Sequence, residues 1–89
     1  MACYIITFEL HDPAKKPAFI EALKSFTGYC PLTPHSWAIT TTKTAKEARD
    51  QLSTSMDPSD QLFVFRSGTE GAWRNSYGDK HNDWLKKNL

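Results

Sequence analysis

Carboxylate and imidazole groups gather where the first apolar stretch of the chain ends. Glu9, His11 and Asp12 follow an aromatic and β-branched run over residues 3–8, and Pro13 comes next. Mg²⁺ prefers carboxylate oxygens, and a bound metal stabilises the charge on a cleaved phosphodiester. An imidazole titrates near neutral pH and is a common general base. Glu9 and His11 are therefore candidate catalytic residues, and Glu9 and Asp12 are candidate metal ligands.

The same residues also fit a purely structural interpretation. Asp12 before Pro13 is typical of a turn, because a short acidic side chain hydrogen-bonds its own backbone there. Glu9 then marks a strand that reaches water, and His11 is an exposed loop residue, as polar residues at loop starts commonly are. The sequence leaves both interpretations open.

Basic and aromatic residues elsewhere are candidates for binding nucleic acid. Lys15 and Lys16 follow the acidic cluster, whereas Arg66 and Arg74 flank the stretch after the last apolar run. The formal net charge is only +1, so the chain lacks the overall positive excess of many nucleic-acid binders. Trp73 could stack on an unpaired base or pack on a sheet or a partner.

Hydrophobic periodicity predicts the elements that position these groups. Phe19, Leu23 and Phe26 recur at helical spacing, and Thr44 with Glu47 has the spacing of a capping box. We predict helices over residues 17–27 and 45–56 and after Asp79, with strands over 3–10, 29–32, 36–42, 61–66 and 72–75.

This order of elements predicts a single α+β domain over residues 1–89. A β-α-β-β-α-β series gives the ferredoxin-like (split βαβ) arrangement, an antiparallel sheet with two helices on one face. A C-terminal helix follows. We expect the first and last strands to be adjacent and central. The other sheet face should stay partly apolar, so that the last helix or a second subunit must cover it.

The two cysteines and the absence of targeting signals suggest a compartment. Cys3 and Cys30 form no CxxC pair, so a zinc site is not expected. We find neither a signal-peptide pattern nor an apolar run long enough for a membrane span. The expected location is therefore the cytoplasm, with reduced thiols and no membrane partner.

Several stretches, in this order, resemble small bacterial and phage proteins called SinR-like. They are Tyr-Ile-Ile-Thr-Phe-Glu-Leu-His (4–11), Ser-Trp-Ala-Ile-Thr-Thr (36–41), Asp-Gln-Leu-Phe-Val-Phe-Arg (60–66), Ala-Trp (72–73) and Asp-Trp-Leu-Lys-Lys-Asn-Leu (83–89). SinR-like proteins are relatives of the CRISPR-associated endonuclease Cas-two, of the VapD ribonucleases and of the GhoS antitoxin. The resemblance spans nearly the whole chain and rests on pattern and order.

The resemblance implies a ferredoxin-like dimer that packs through its sheets. Catalytic relatives place an aspartate at the end of the first strand, and the two copies hold a magnesium ion across the dimer axis. Glu9 occupies that position here, one methylene longer than aspartate. Because magnesium demands near-ideal geometry, the change places catalysis in question.

Three functional hypotheses follow from these observations. The first is a homodimeric module without robust catalytic activity, associated with RNA, DNA or a protein partner and linked to phage defence or toxin–antitoxin systems. The second is a Mg-dependent endoribonuclease that uses Glu9 at the dimer axis. The third is a ferredoxin-like domain that binds a small ligand in an apolar pocket. Fold alone favours none of them.

Overall fold

The computed structural model describes residues 1–68 and 70–89. The strands are β1 (Ala2–Glu9), β2 (Gly28–Thr33), β3 (Ser36–Thr41) and β4 (Gln61–Arg66), and the helices are α1 (Lys16–Lys24), α2 (Ala45–Ser53) and α3 (Asp79–Asn88). One turn of 3-10 helix, Pro13–Lys15, precedes α1. No helix among these residues is long and apolar enough to cross a bilayer.

The four strands form one antiparallel sheet in the order β2-β3-β1-β4. Strand β3 lies between β1 and β2, and β1 lies between β3 and β4, so each βαβ unit is split by a strand of the other. The predicted α+β, ferredoxin-like arrangement is confirmed. The predicted central position of β4 is wrong, because among the described residues β4 pairs with β1 alone and forms an edge.

The core lies between the sheet and the pair α1 and α2. Tyr4, Ile6 and Phe8 of β1 point to this side, and Phe19 and Leu52 meet them from the two helices. The Phe8 and Phe19 rings pack with centroids 4.6 Å apart. Alternate residues of a strand face opposite sides, so the even-numbered positions of β1 hold the helical layer to the sheet.

Local signals explain some helix boundaries and miss others. The capping box at α2 is confirmed, because the Thr44 hydroxyl accepts from the Glu47 N–H and the Glu47 carboxylate accepts from the Thr44 N–H. Helix α1 ends at Lys24, earlier than predicted. Asp79 is the first residue of α3 rather than its cap, which is Gly78 at a positive φ of 134°. Residues 72–75 form no strand.

The second face of the sheet is only half covered. Helix α3 lies against β2, where Leu85 is buried and Trp84 approaches Gly28. A Cβ at Gly28 would come within 2.3 Å of the Thr40 hydroxyl, so this close packing favours glycine. The β4 half of the same face stays open. This confirms the expectation of a partly apolar second face.

Candidate functional site

Glu9 lies at the exposed end of β1, beside a histidine from another turn. Its Oε2 is 3.7 Å from Nδ1 of His35. The Phe8 N–H donates to the His35 carbonyl at 2.9 Å, which fixes the β2–β3 turn next to the end of β1. No sequence pattern points to His35, because its contact with Glu9 depends on the β1–β3 register. The imidazole next to Glu9 is thus that of His35, while His11 lies beyond the strand.

Asp12 and His11 serve the turn that follows β1. The Asp12 carboxylate accepts from the Ala14 N–H at 3.0 Å and caps the 3-10 turn. The backbone N–H of His11 donates to Oδ1 of Asp60 at 2.9 Å. Within residues 1–68 and 70–89, no three His, Cys, Asp or Glu side chains converge on a possible metal position.

Asp60 joins the loop after β1 to the turn before β4. Its second oxygen accepts from the Asp57 N–H at 2.8 Å, and Asp57 in turn forms an ion pair with Lys15. The two backbone hydrogen bonds, from His11 and Asp57, hold the pKa of the Asp60 carboxyl below its usual value. The Asp57 carboxylate raises the pKa of Lys15. The Lys15 ammonium group is therefore already paired with a carboxylate of the same chain, whereas a lysine that binds phosphate would need a free ammonium group.

Replacement of Asp60 by Asn should lower stability at neutral pH and matter less in acid. The depressed pKa means that the ionised carboxylate stabilises the fold above its unfolded pKa, and that this contribution is lost as pH falls through the folded pKa. Urea unfolding of wild type and Asp60→Asn at pH 7 and pH 3 tests this. An equal difference between the two proteins at both pH values would contradict it. Asp50→Asn, on the exposed surface of α2, is the control.

The four predicted nucleic-acid contacts fall at opposite ends of the sheet. Lys15 and Lys16 lie near Glu9, whereas Arg66 is opposite Tyr4 at the far end of β1. Arg66 is therefore separated from Glu9 by most of the length of β1. Arg66 and Arg74, eight residues apart in the chain, line one cavity of about 510 Å³. The structure therefore brings the two arginines together and separates them from the lysines.

The cysteines do not contribute a reactive site. Both thiols are buried on the α3 side of the sheet and form no disulfide. Burial raises the pKa of Cys3 and of Cys30. Because the thiolate is the nucleophilic form, a raised pKa makes both groups poor nucleophiles near neutral pH.

The free edge of β4 is the most unusual surface of the described chain. Phe63 is 61% exposed and Phe65 is 52% exposed, both on the face opposite α1 and α2. The strand contains no proline or lysine, and its pairing with β1 has no register shift. The other edge, β2, carries Pro31, has an irregular register after it and lies under α3. Proteins usually protect edges in these ways, so the unprotected β4 edge indicates a contact surface.

Comparison of the chain with protein-family models, with curated proteins and with solved structures gave no match. The fold defines the class: a four-stranded, ferredoxin-like α+β protein with an added C-terminal helix. The SinR-like resemblance continues to rest on the residue pattern alone and remains a prediction.

Proposed function

We propose that the protein is a Cas-two-like homodimeric module without robust catalytic activity. It associates with nucleic acid in the cytoplasm and serves phage defence or a toxin–antitoxin system. The free apolar edge of β4 is the observation that carries the dimer. The nucleic-acid association and the biological setting are supported by the SinR-like pattern and by the basic residues near each end of the sheet.

A second copy of the chain fits the β4 edge by symmetry. Two identical strands related by a two-fold axis perpendicular to the sheet pair antiparallel, and each supplies the hydrogen bonds that the other lacks. An axis through Val64 would set Phe63 of one copy against Phe65 of the other. Such a pair of aromatic side chains is favourable across strands and covers apolar surface that is now exposed.

The surroundings of Glu9 support a weak or absent catalytic activity. Oε2 of its carboxylate lies 3.7 Å from Nδ1 of His35, and Asp12 caps the next turn. The longer glutamate replaces the aspartate of catalytic relatives. A second Glu9 would have to come from another copy to make a pair of carboxylates.

Replacement of Phe63 by Asp should convert the dimer to a monomer. An unpaired charge at the centre of a buried strand pair is costly, whereas it costs little on an exposed edge of a monomer. Sedimentation equilibrium should give twice the chain mass for wild type and the single mass for Phe63→Asp. Tyr77→Asp is the matched control, because Tyr77 is also exposed but lies outside β4. A monomeric wild type at all concentrations would overturn the proposal.

A Mg-dependent endoribonuclease is the alternative, favoured by the exposed carboxylate of Glu9 beside an imidazole. It predicts RNA cleavage that requires Mg²⁺, stops with a chelator and is lost in Glu9→Gln. The dimeric-module proposal predicts no cleavage above that of Glu9→Gln. Asp83→Gln, an exposed acidic position on α3, serves as the control for contaminating nuclease. Cleavage by wild type and Asp83→Gln but not by Glu9→Gln would establish the alternative.

A further inference from the structure

We propose that the cavity lined by Ile5, Phe65, Arg66, Trp73, Arg74 and Leu85, here called the arginine groove, binds single-stranded nucleic acid. This inference rests on the proposed nucleic-acid association and assigns it a surface and a strand type. It separates that surface from the lysines near Glu9.

The shape of the arginine groove suits a flat group with a charged tail. Ile5 and Phe65 come from the open half of the sheet, and Leu85 of α3 closes one side. The volume of about 510 Å³ lies within the range of about 300–1,000 Å³ in which proteins bind small organic groups. An unpaired base fits within this volume, and an apolar floor favours its transfer from water.

The charges at the groove favour an anion. In the part of the chain that the structure describes, neither Arg66 nor Arg74 forms an ion pair or a side-chain hydrogen bond. Glu70 also lines the groove, which leaves one net positive charge there. Guanidinium groups bind phosphate oxygens through paired N–H donors, so two arginines on one rim can follow a phosphate backbone.

A hydrogen bond to α3 orients the indole ring of Trp73. Its indole N–H donates to Oδ1 of Asn82 at 2.9 Å, and the same oxygen accepts from the Ser76 hydroxyl. This bond ties the ring to α3 and limits its rotamers, although 38% of the residue remains exposed. An aromatic ring that is already oriented loses little conformational entropy when a base stacks on it.

These contacts select single strands and tolerate many sequences. A paired base cannot leave its stack to reach a recessed ring without a large cost, whereas an unpaired base can. Stacking and phosphate contacts use features shared by all bases and by both sugars. We therefore expect RNA and DNA single strands to bind alike, and a duplex to bind more weakly.

Fluorescence anisotropy with labelled ten-nucleotide oligo(U), oligo(dT) and a duplex tests the arginine groove. Titrations at several salt concentrations give the slope of the logarithm of the association constant against the logarithm of the salt concentration. Arg66→Met and Arg74→Met should each reduce the magnitude of this slope by about 0.7. Trp73→Ala should weaken binding roughly five- to hundredfold, whereas Trp73→Phe, which keeps an aromatic ring, should retain most of the affinity. Lys24→Met and Tyr77→Ala, which alter a charge and an aromatic ring outside the groove, should change little.

The other outcomes distinguish this inference from the proposed function. Loss of binding in Lys15→Met with Lys16→Met, but not in the arginine variants, would overturn the groove and preserve nucleic-acid association. Absence of binding by wild type would overturn both, while sedimentation still measures the dimer independently. Equal affinity for a mononucleotide such as AMP and for the oligonucleotides would assign the cavity to a small ligand and would also overturn the inference.

Discussion

Replacement of Phe19 by Ala is expected to lower the free energy of unfolding by about 3–5 kcal/mol. Phe19 has no exposed surface and packs on Phe8, so truncation removes an aromatic ring contact and leaves a cavity between α1 and the sheet. Domains are stable by only about 5–15 kcal/mol, and a chain of 89 residues buries less surface than most. Urea unfolding followed by circular dichroism measures the loss.

The neighbouring Ile20 provides the control for Phe19→Ala. Ile20 is partly exposed on the same helix, so Ile20→Ala removes apolar atoms without emptying the centre of the core. Ile20→Ala should therefore lower the free energy of unfolding clearly less than Phe19→Ala does. Equal losses for the two variants, or a loss below about 1 kcal/mol for Phe19→Ala, would contradict the packing described for α1.

Replacement of Val64 by Pro should abolish dimerisation while the subunit stays folded. The Ser67 N–H donates to the Cys3 carbonyl at 2.9 Å, in the β1–β4 register. N–H groups alternate between the two sides of a strand, so that of Phe63 points to β1 and that of Val64 points to the free edge. Proline at Val64 removes only the outward donor, which an edge strand tolerates.

The matched variant is Phe63→Pro, which removes a donor on the β1 side. It leaves a β1 carbonyl without its partner, and an unsatisfied buried acceptor costs about 1–3 kcal/mol. We expect Val64→Pro to be a folded monomer and Phe63→Pro to be strongly destabilised, as measured by sedimentation and urea unfolding. A dimeric Val64→Pro would exclude pairing along the β4 edge. It would instead indicate that the dimer forms through the exposed side chains of Phe63 and Phe65.

Local residue patterns were sufficient for most of the elements. The capping box at Thr44 and the apolar spacing of Phe19 and Leu23 depend on neighbours within a few residues, so both helices could be predicted. The position of β4 in the sheet could not be predicted from such patterns. A strand that is apolar on both faces is typical of a central strand, and here one of those faces is instead open at an edge.

The candidate sites show the same division. The acidic end of β1 was visible in the sequence because Glu9 and Asp12 lie close together in the chain. The sequence did not reveal that Asp12 caps a turn or that His35 lies beside Glu9, because these contacts depend on backbone geometry and on strand register. The grouping of Arg66, Trp73 and Arg74 around one cavity likewise depends on tertiary packing, because no local pattern links these three residues.

The fold class, the apolar faces of the helices and the residue types available for chemistry could be derived from the sequence. These follow from periodicity and capping, which are short-range properties of the chain. The three-dimensional fold alone shows that β4 is an exposed edge, that His35 lies beside Glu9 and that Arg66 and Arg74 line one cavity. Those outcomes depend on sheet order and on the docking of α3, because a position in the sheet is set by all the strands together.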